Sequence, residues 1–187
     1  MGCDIHGWVE VKEKYGWISV ICIDELIWRN YDMFGSLFGV RNYAGFRPIA
    51  PNRGFPEDAS YITKKDYKGW GAVAHNATWI TWKEIKEIDW EEEAEREDAR
   101  IHVYKVEEDG TLEYRHKFLW SSELTHEDYR ILREKKELRK DNIVYKLEKI
   151  KRKDALSNDW KTLFELMEVL AKRYGDENVR LVVWFDN

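Results

Sequence analysis

Hydrophobic and polar residues alternate over residues 3–11, which is the pattern of a half-buried β-strand. A polar loop over residues 12–16 separates this stretch from an apolar run at residues 17–23. Two such runs joined by a short loop predict a β-hairpin. The polar face of the first strand carries Asp4, His6, Trp8 and Glu10.

Three helix starts are predicted in the first half of the chain. Asn30 is a suitable N-cap for a helix over residues 31–41, where apolar residues recur at helical spacing. A helical turn is predicted over residues 63–70. Thr81 and Glu84 have the spacing of a capping box, at the start of a helix that runs into an acidic segment.

The second half predicts a hairpin over residues 101–118, with its turn at an Asp-Gly pair. Thr125 marks the start of a long helical stretch rich in Lys, Arg and Glu, which breaks near Asp141. An apolar helical stripe over residues 160–174 and a fully apolar strand at residues 179–185 end the chain.

These elements predict a single α+β domain over residues 1–187, with one mixed or mainly antiparallel sheet and helices packed on it. The acidic and basic hairpin and helices of residues 91–156 form an insertion. The first and last strands are predicted to share the sheet, because both are apolar on one face and the helix of residues 160–174 needs a sheet to cover.

Composition limits the function classes. The chain has 187 residues, a net charge of −5 and two Cys, too few for a disulfide framework or a four-cysteine zinc site. Ten Trp, no Gln and balanced charges favour a thermophilic host. Without an apolar run of about 20 residues or a signal peptide, we expect a cytoplasmic protein with no membrane partner.

Charge is unevenly distributed along the chain. Residues 84–98 hold nine acidic and two basic residues, whereas residues 130–153 hold eleven basic and four acidic ones. Because acidic residues interrupt the basic stretch, a solvated helix face is the favoured interpretation, and nucleic acid is an unlikely partner. His102, His116 and His126 are interpreted as structural or surface residues.

Asp4 and His6 lie two residues apart on one strand face, where both side chains could bind the same divalent metal. His75 is the predicted third ligand, with Asp32 or Asp186 as alternatives. The structural alternative is that Asp4 and His6 hydrogen-bond to each other or to the backbone.

No Lys occurs from Tyr15 to Thr63, and the basic residues there are all Arg. Arg binds phosphate or carboxylate through two parallel hydrogen bonds, so this stretch predicts a site for an anionic or nucleotide ligand. Alternatively, these residues hold the irregular loop of residues 42–60, by bonding its carbonyls or pairing with its acids. The candidate ligand-binding residues are Arg29, Asn30, Asp32, Arg41, Asn42, Arg53 and Asp186.

Several segments together resemble a family of small uncharacterised proteins of tailed phages and prophages. The matching segments are Met1-Gly2-Cys3-Asp4-Ile5-His6, Arg29-Asn30-Tyr31-Asp32, Arg53-Gly54-Phe55-Pro56-Glu57-Asp58 and the C-terminal Val179-Arg180-Leu181-Val182-Val183-Trp184-Phe185-Asp186-Asn187. The resemblance implies a viral or prophage setting and no particular activity. It does not extend to residues 91–156.

The favoured function is a metal-assisted hydrolase of a phosphorylated or nucleotide-like small molecule. Asp4, His6 and His75 would hold the metal, and the Arg residues would bind phosphate oxygens. The alternative is a binding protein that sequesters such a ligand or docks on a host protein. Both hypotheses predict that the strand face of Asp4, the start of the first helix, the loop of Arg53 and His75 converge.

Overall fold

The computed structural model describes residues 2–187, which form an α+β domain with two antiparallel sheets. The strands are β1 (Asp4–Glu13), β2 (Gly16–Cys22), β3 (His75–Thr81), β4 (Ile101–Val106), β5 (Leu112–Phe118), β6 (Glu137–Lys140), β7 (Ile143–Lys146) and β8 (Val179–Asp186). The helices are α1 (Tyr31–Phe38), α2 (Tyr61–Trp70), α3 (Trp82–Lys86), α4 (His126–Lys135), α5 (Arg152–Ala155) and α6 (Asn158–Tyr174). None of the described helices is long and apolar enough to cross a membrane.

The first sheet has the strand order β2-β1-β8-β3. β1 and β8 are antiparallel neighbours, which confirms that the first and last strands share a sheet. The α6 stripe is also confirmed: Trp160, Leu163 and Met167 are fully buried. These side chains belong to the main core, which also contains Val179 and Leu181 of β8.

The opposite face of this sheet is covered by α2 and the loop before it. Trp8 of β1 donates its indole N–H to Asp66 of α2 at 2.8 Å. Glu10 and Arg180 form a buried ion pair between strands, and the Glu10 carboxylate also accepts the backbone N–H of Ser60 at 2.8 Å. This face is therefore polar but covered, and it positions Asp4 and His6 at its open end.

The predicted α+β class with antiparallel pairing is confirmed, but the strands form two sheets rather than one, and the second sheet has the order β5-β4-β7-β6. Its own small core contains Ile101, Val103 and Leu132. The predicted long basic helix ends at Lys135, because Lys136 takes a left-handed conformation and the chain turns back as a hairpin. That hairpin turns at Asp141, which has a positive φ of 51°, a conformation that Asp tolerates in tight turns.

Two further boundaries differ from the sequence prediction. α1 ends at Phe38 rather than at residue 41, because Gly39 adopts a left-handed conformation that closes the helix. The capping box of Thr81 and Glu84 is confirmed, but α3 ends at Lys86 and does not continue into the acidic segment.

That acidic segment connects the two sheets. The backbone N–H groups of Glu95 and Ala99 donate to the carbonyls of Gly45 and Tyr43 in the loop after α1, at 3.0 and 2.9 Å. The buried Arg152 also links the acidic segment to α1, because it donates hydrogen bonds to Ser36 of α1 and to Glu92. These contacts hold the connecting segment against α1 and the loop that follows it.

Candidate functional site

Asp4 lies at the start of β1, where its carboxylate is bound by Arg29. Arg29 donates Nε and Nη2 to the two carboxylate oxygens of Asp4 at 2.9 and 2.7 Å. The hydrogen bond from Arg29 lowers the pKa of the Asp4 carboxyl. Two predicted site residues, Asp4 and Arg29, are therefore hydrogen-bonded to each other.

His6 lies on the same strand face, between two other carboxylates. Its Nδ1 is 3.1 Å from Asp24, its Nε2 is 3.5 Å from Asp186, and its ring packs on Trp70 at 3.8 Å between centroids. Burial by itself lowers the pKa of His6, but the hydrogen bond to Asp24 and the charges of both Asp residues outweigh it and raise the pKa. Asp186, named from the sequence as an alternative third ligand, thus lies beside His6.

His75 does not lie on this face. It belongs to β3 rather than to a loop, and it is paired with Phe185, which in turn is paired with Ile5. Directly paired residues of antiparallel strands share a face, so His75 lies on the core side, opposite to Asp4 and His6. Within residues 2–187, no group of three His, Cys, Asp or Glu residues could hold a metal ion.

The remaining predicted residues bind other parts of the chain. Arg53 donates to both carboxylate oxygens of Glu84 and to the carbonyl of Trp79, whereas Arg41 donates to the side chain of Asn187 at 2.8 Å. Arg53 thus pairs with Glu84 rather than with the acids of its own loop.

The two predicted Asn residues organise the backbone. Asn30 caps α1 by accepting the N–H groups of Asp32 and Met33 at 3.1 Å, which confirms the predicted N-cap. Asn42 accepts two backbone N–H groups and donates to the carbonyl of Phe46.

Asp32, another predicted ligand-binding residue, does not lie with Asp4 and His6. It faces a cluster of charged residues that belongs mainly to the second sheet. Its carboxylate pairs with Arg100 and with Lys117, whose Nζ is 2.6 Å from Asp32 Oδ2. Both cations also contact Asp98, which is fully buried. Arg100 donates Nε and Nη2 to the two Asp98 oxygens at 2.9 and 2.7 Å.

His102 extends this cluster to a half-exposed carboxylate. The imidazole is only 3% exposed; its Nε2 is 3.1 Å from Asp98 and its Nδ1 is 3.2 Å from Glu148. Burial raises the pKa of Asp98, but hydrogen bonds from His102 and Arg100 outweigh it and hold that pKa well below its usual range. The result is a carboxylate–imidazole–carboxylate chain that runs outward from a fixed buried charge.

Glu148 opens into a cavity of about 430 Å³, which we call the Glu148 pocket. Tyr104 donates its hydroxyl to Glu148, and burial together with this hydrogen bond raises the pKa of Tyr104. The phenol therefore stays protonated at neutral pH. The pocket is lined by Asp32, His102, Tyr104, Tyr114, Lys117, Glu148, Lys149, Ile150 and Asp154.

A larger cavity of about 580 Å³ lies beside α4. It is lined by exposed Leu119 and Trp120, and the Arg130 at its rim is already paired with Glu127 and Glu134. It has no chain of buried titratable groups like the one behind Glu148, so the Glu148 pocket is the better candidate for chemistry.

Sequence reasoning found Asp32 but missed Asp98, His102 and Glu148. Asp98 ends the acidic stretch of residues 84–98, where the sequence predicts no candidate site residue, and His102 is interpreted from the sequence as a structural or surface residue. The signal available was the alternation of residues 101–106, which places His102 and Tyr104 on one face of β4.

No family model, curated protein or solved structure matches this chain. The resemblance to phage and prophage proteins therefore stays a prediction, and the function has to be argued from the geometry of the described residues.

Proposed function

We propose that this protein is an enzyme that acts on a small polar molecule in the Glu148 pocket, with Glu148 as the proton-transferring group. The observation that carries the proposal is the chain from Asp98 through His102 to Glu148. A buried imidazole between a buried and a half-exposed carboxylate is typical of sites that orient an acid or base toward a ligand.

The surroundings of Glu148 support this role. Its Oε1 accepts the Tyr104 hydroxyl and lies near His102 Nδ1, so the carboxylate has a fixed orientation. When Glu148 takes a proton from a substrate, it loses its negative charge, but His102 remains paired with Asp98. The group can therefore change its protonation without leaving the imidazole unpartnered.

The pocket walls support a ligand with a planar ring and polar groups. The rings of Tyr104 and Tyr114 lie 5.7 Å apart at their centroids and nearly perpendicular, and both line the cavity. Lys117 is fixed by Asp32 and Asp98. A phosphorylated or nucleotide-like molecule, as proposed from the sequence, has the ring and the anionic group that these walls could contact.

The test is turnover of p-nitrophenyl phosphate, p-nitrophenyl acetate and nucleoside di- and triphosphates, with and without EDTA. We expect Glu148→Gln to lower the rate by about 10²- to 10⁴-fold, which is the usual contribution of a general acid or base. Glu113→Gln on β5 makes the same chemical change at an exposed site and serves as the control. A rate unchanged in Glu148→Gln would refute the assignment.

The metal-assisted mechanism is a separate proposal, which the EDTA arm addresses. Activity lost in EDTA, together with about one equivalent of metal lost in His6→Ala, would favour it. Activity that survives EDTA but not Glu148→Gln would favour the Glu148 mechanism.

The second candidate is a binding protein without turnover. Within the described residues, Lys149 lines the pocket and forms no ion pair, so a cation is available for an anionic ligand. Saturable binding of a nucleotide without hydrolysis, lost in Lys149→Ala, would favour this candidate. If neither binding nor turnover is found, both functions of the pocket are wrong.

A further inference from the structure

Asp154 is a second carboxylate in the Glu148 pocket, and the proposed function does not use it. It lies in α5 and lines the cavity together with Glu148. Its Oδ2 accepts the backbone N–H of Lys151 at 2.8 Å. Within residues 2–187, the side chain forms no ion pair and its Oδ1 accepts no hydrogen bond. The carboxylate is therefore fixed at one oxygen and available at the other.

Glu148 is held in the same way, and both charges act on the same part of the pocket. The side-chain contacts of Glu148, with Tyr104 and His102, are both at Oε1. Burial and the hydrogen bond to Glu148 raise the pKa of Tyr104, and the negative charges of Glu148 and Asp154 raise it further. Asp154 is thus close enough to the Tyr104 phenol to act on a ligand beside that ring.

The chemistry of these two oxygens limits the ligand group that binds at Asp154. A carboxylate oxygen only accepts hydrogen bonds, so its ligand partner is a hydroxyl or an ammonium group rather than a phosphate. Two ammonium groups already line the cavity: Lys117 is paired with Asp32, and Lys149 forms no ion pair within the described part of the chain. A further ammonium group from the ligand would be opposed by these like charges, which favours hydroxyl groups.

We propose that Asp154 is a specificity-determining residue of the Glu148 pocket and binds two neighbouring hydroxyl groups of the ligand. One carboxylate oxygen has two acceptor positions, so Asp154 Oδ1 alone is sufficient for both hydroxyls. The substrate class is then a sugar ring, from a nucleotide or from a free sugar phosphate. The apolar C–H face of such a ring suits the aromatic walls of Tyr104 and Tyr114. This inference rests on the proposed function, because it names the substrate class of the same pocket.

The test is an NMR titration of the ¹⁵N-labelled full chain with two pairs of probes. AMP is compared with 2′-deoxy-AMP, and ribose 5-phosphate with 2-deoxyribose 5-phosphate, so that each second member lacks the pair of neighbouring hydroxyls. We expect at least one ribose probe to shift the amide signals of Ile150 and Asp154 in a saturable way. Its deoxy analogue should bind about 10- to 100-fold more weakly, which is the usual contribution of a hydrogen bond to a charged group. Binding of AMP alone identifies a nucleotide, and binding of ribose 5-phosphate identifies a free sugar phosphate.

Asp154→Asn is the test variant, because the Asn oxygen can still accept the Lys151 N–H and preserve the local fold. It should weaken the ribose probe by about 10- to 100-fold and leave the deoxy analogue nearly unchanged. Asp89→Asn is the matched control: Asp89 is also exposed, also accepts a backbone N–H, from Glu91 at 2.9 Å, and does not line the pocket. This control should leave all affinities unchanged, and circular dichroism establishes that both variants are folded.

The outcomes separate this inference from the proposed function. Absence of binding by both ribose probes, or an unchanged preference for them in Asp154→Asn, would overturn the role of Asp154. Tyramine, which has an aromatic ring and an ammonium group but no neighbouring hydroxyls, would also overturn it by binding more tightly than both ribose probes. Failure of the proposed function has a different result, because Glu148→Gln would then leave turnover unchanged whatever Asp154 binds.

Discussion

Replacing Asp98 by Asn tests the energetic basis of the candidate site. The change keeps the size of the side chain but removes the negative charge that faces Arg100, Lys117 and His102. It also places an amide N–H₂ group where only donors surround it. The buried cluster is left with two cations and the single carboxylate of Asp32.

The expected cost follows from this charge count. Removing one partner of a buried ion pair typically destabilises a protein by about 3–5 kcal/mol, because the remaining charge stays uncompensated. Asp32 still contacts both cations, so we expect the lower end, about 3 kcal/mol. With a urea m-value of about 1–3 kcal/mol/M, the unfolding midpoint should fall by at least about 1 M.

The pH dependence gives the same experiment a second readout. The folded state lowers the pKa of Asp98 below its unfolded value, so its stabilising contribution is complete above about pH 4 and is lost as the pH falls toward the folded pKa. The difference in the free energy of unfolding between wild type and Asp98→Asn should therefore be constant near neutral pH and narrow below about pH 4.

Urea unfolding followed by circular dichroism at pH 7, 5, 4 and 3 measures both effects. Glu113→Gln, at an exposed position of the same sheet, should change the free energy of unfolding by no more than about 0.5 kcal/mol. An Asp98→Asn protein as stable as the wild type at pH 7 would contradict the inferred charge balance of the cluster.

Two further predictions concern the first sheet. The pKa of His6 is raised in the folded state, so its interaction with Asp24 stabilises the fold fully below about pH 6.5. This stabilisation is lost as the pH rises through the folded pKa of His6. Urea unfolding from pH 5 to 9 should show the loss in the wild type and not in His6→Gln. Trp160→Ala should lower the free energy of unfolding by about 3–5 kcal/mol, because Trp160 is fully buried against Phe164. The control Trp28→Ala, at a site that is 76% exposed, should lower it by less than about 0.5 kcal/mol in the same assay.

Local signals in the sequence predicted much of the fold. The alternation of residues 3–11, the N-cap Asn30, the capping box of Thr81 and the stripe of α6 are all found in the structure. Each depends on residues within a few positions of one another, where strand or helix periodicity and capping chemistry decide the conformation. The pairing of β1 with β8 followed from their shared apolar face.

The predicted hairpin of residues 101–118 is confirmed as β4 and β5, but the rest of the second sheet could not be predicted in the same way. β6 and β7 have four residues each, too short for a recognisable alternation, and their Lys and Arg content is also typical of a helix. β3 begins with the polar pair His75 and Asn76, and Asn76 has a positive φ of 51°, so its start has the composition of a loop. Contacts distant in sequence determine these strands.

The candidate site depends on the same distant contacts. His102 lies directly opposite Lys146 on β7, which brings Glu148, two residues beyond the end of that strand, close to the imidazole. Without the β4–β7 pairing, nothing in the sequence relates Asp98 and His102 to Glu148, which lies 46 residues beyond His102. The site was hidden because β6 and β7 were predicted as part of a helix, although the β4–β5 hairpin that carries His102 was predicted.

The Arg residues show where reasoning from side-chain chemistry alone ends. Their capacity for paired hydrogen bonds was inferred correctly, since Arg29 and Arg53 each bind a carboxylate through two such bonds. The sequence could not tell whether that carboxylate belongs to a ligand or to the chain, because both satisfy the guanidinium equally well. Glu148 differs, because its chain partners are on one oxygen and the residue lines an open cavity. A polar group held by the protein on one side and facing a cavity on the other is therefore a better indication of a site than bonding capacity.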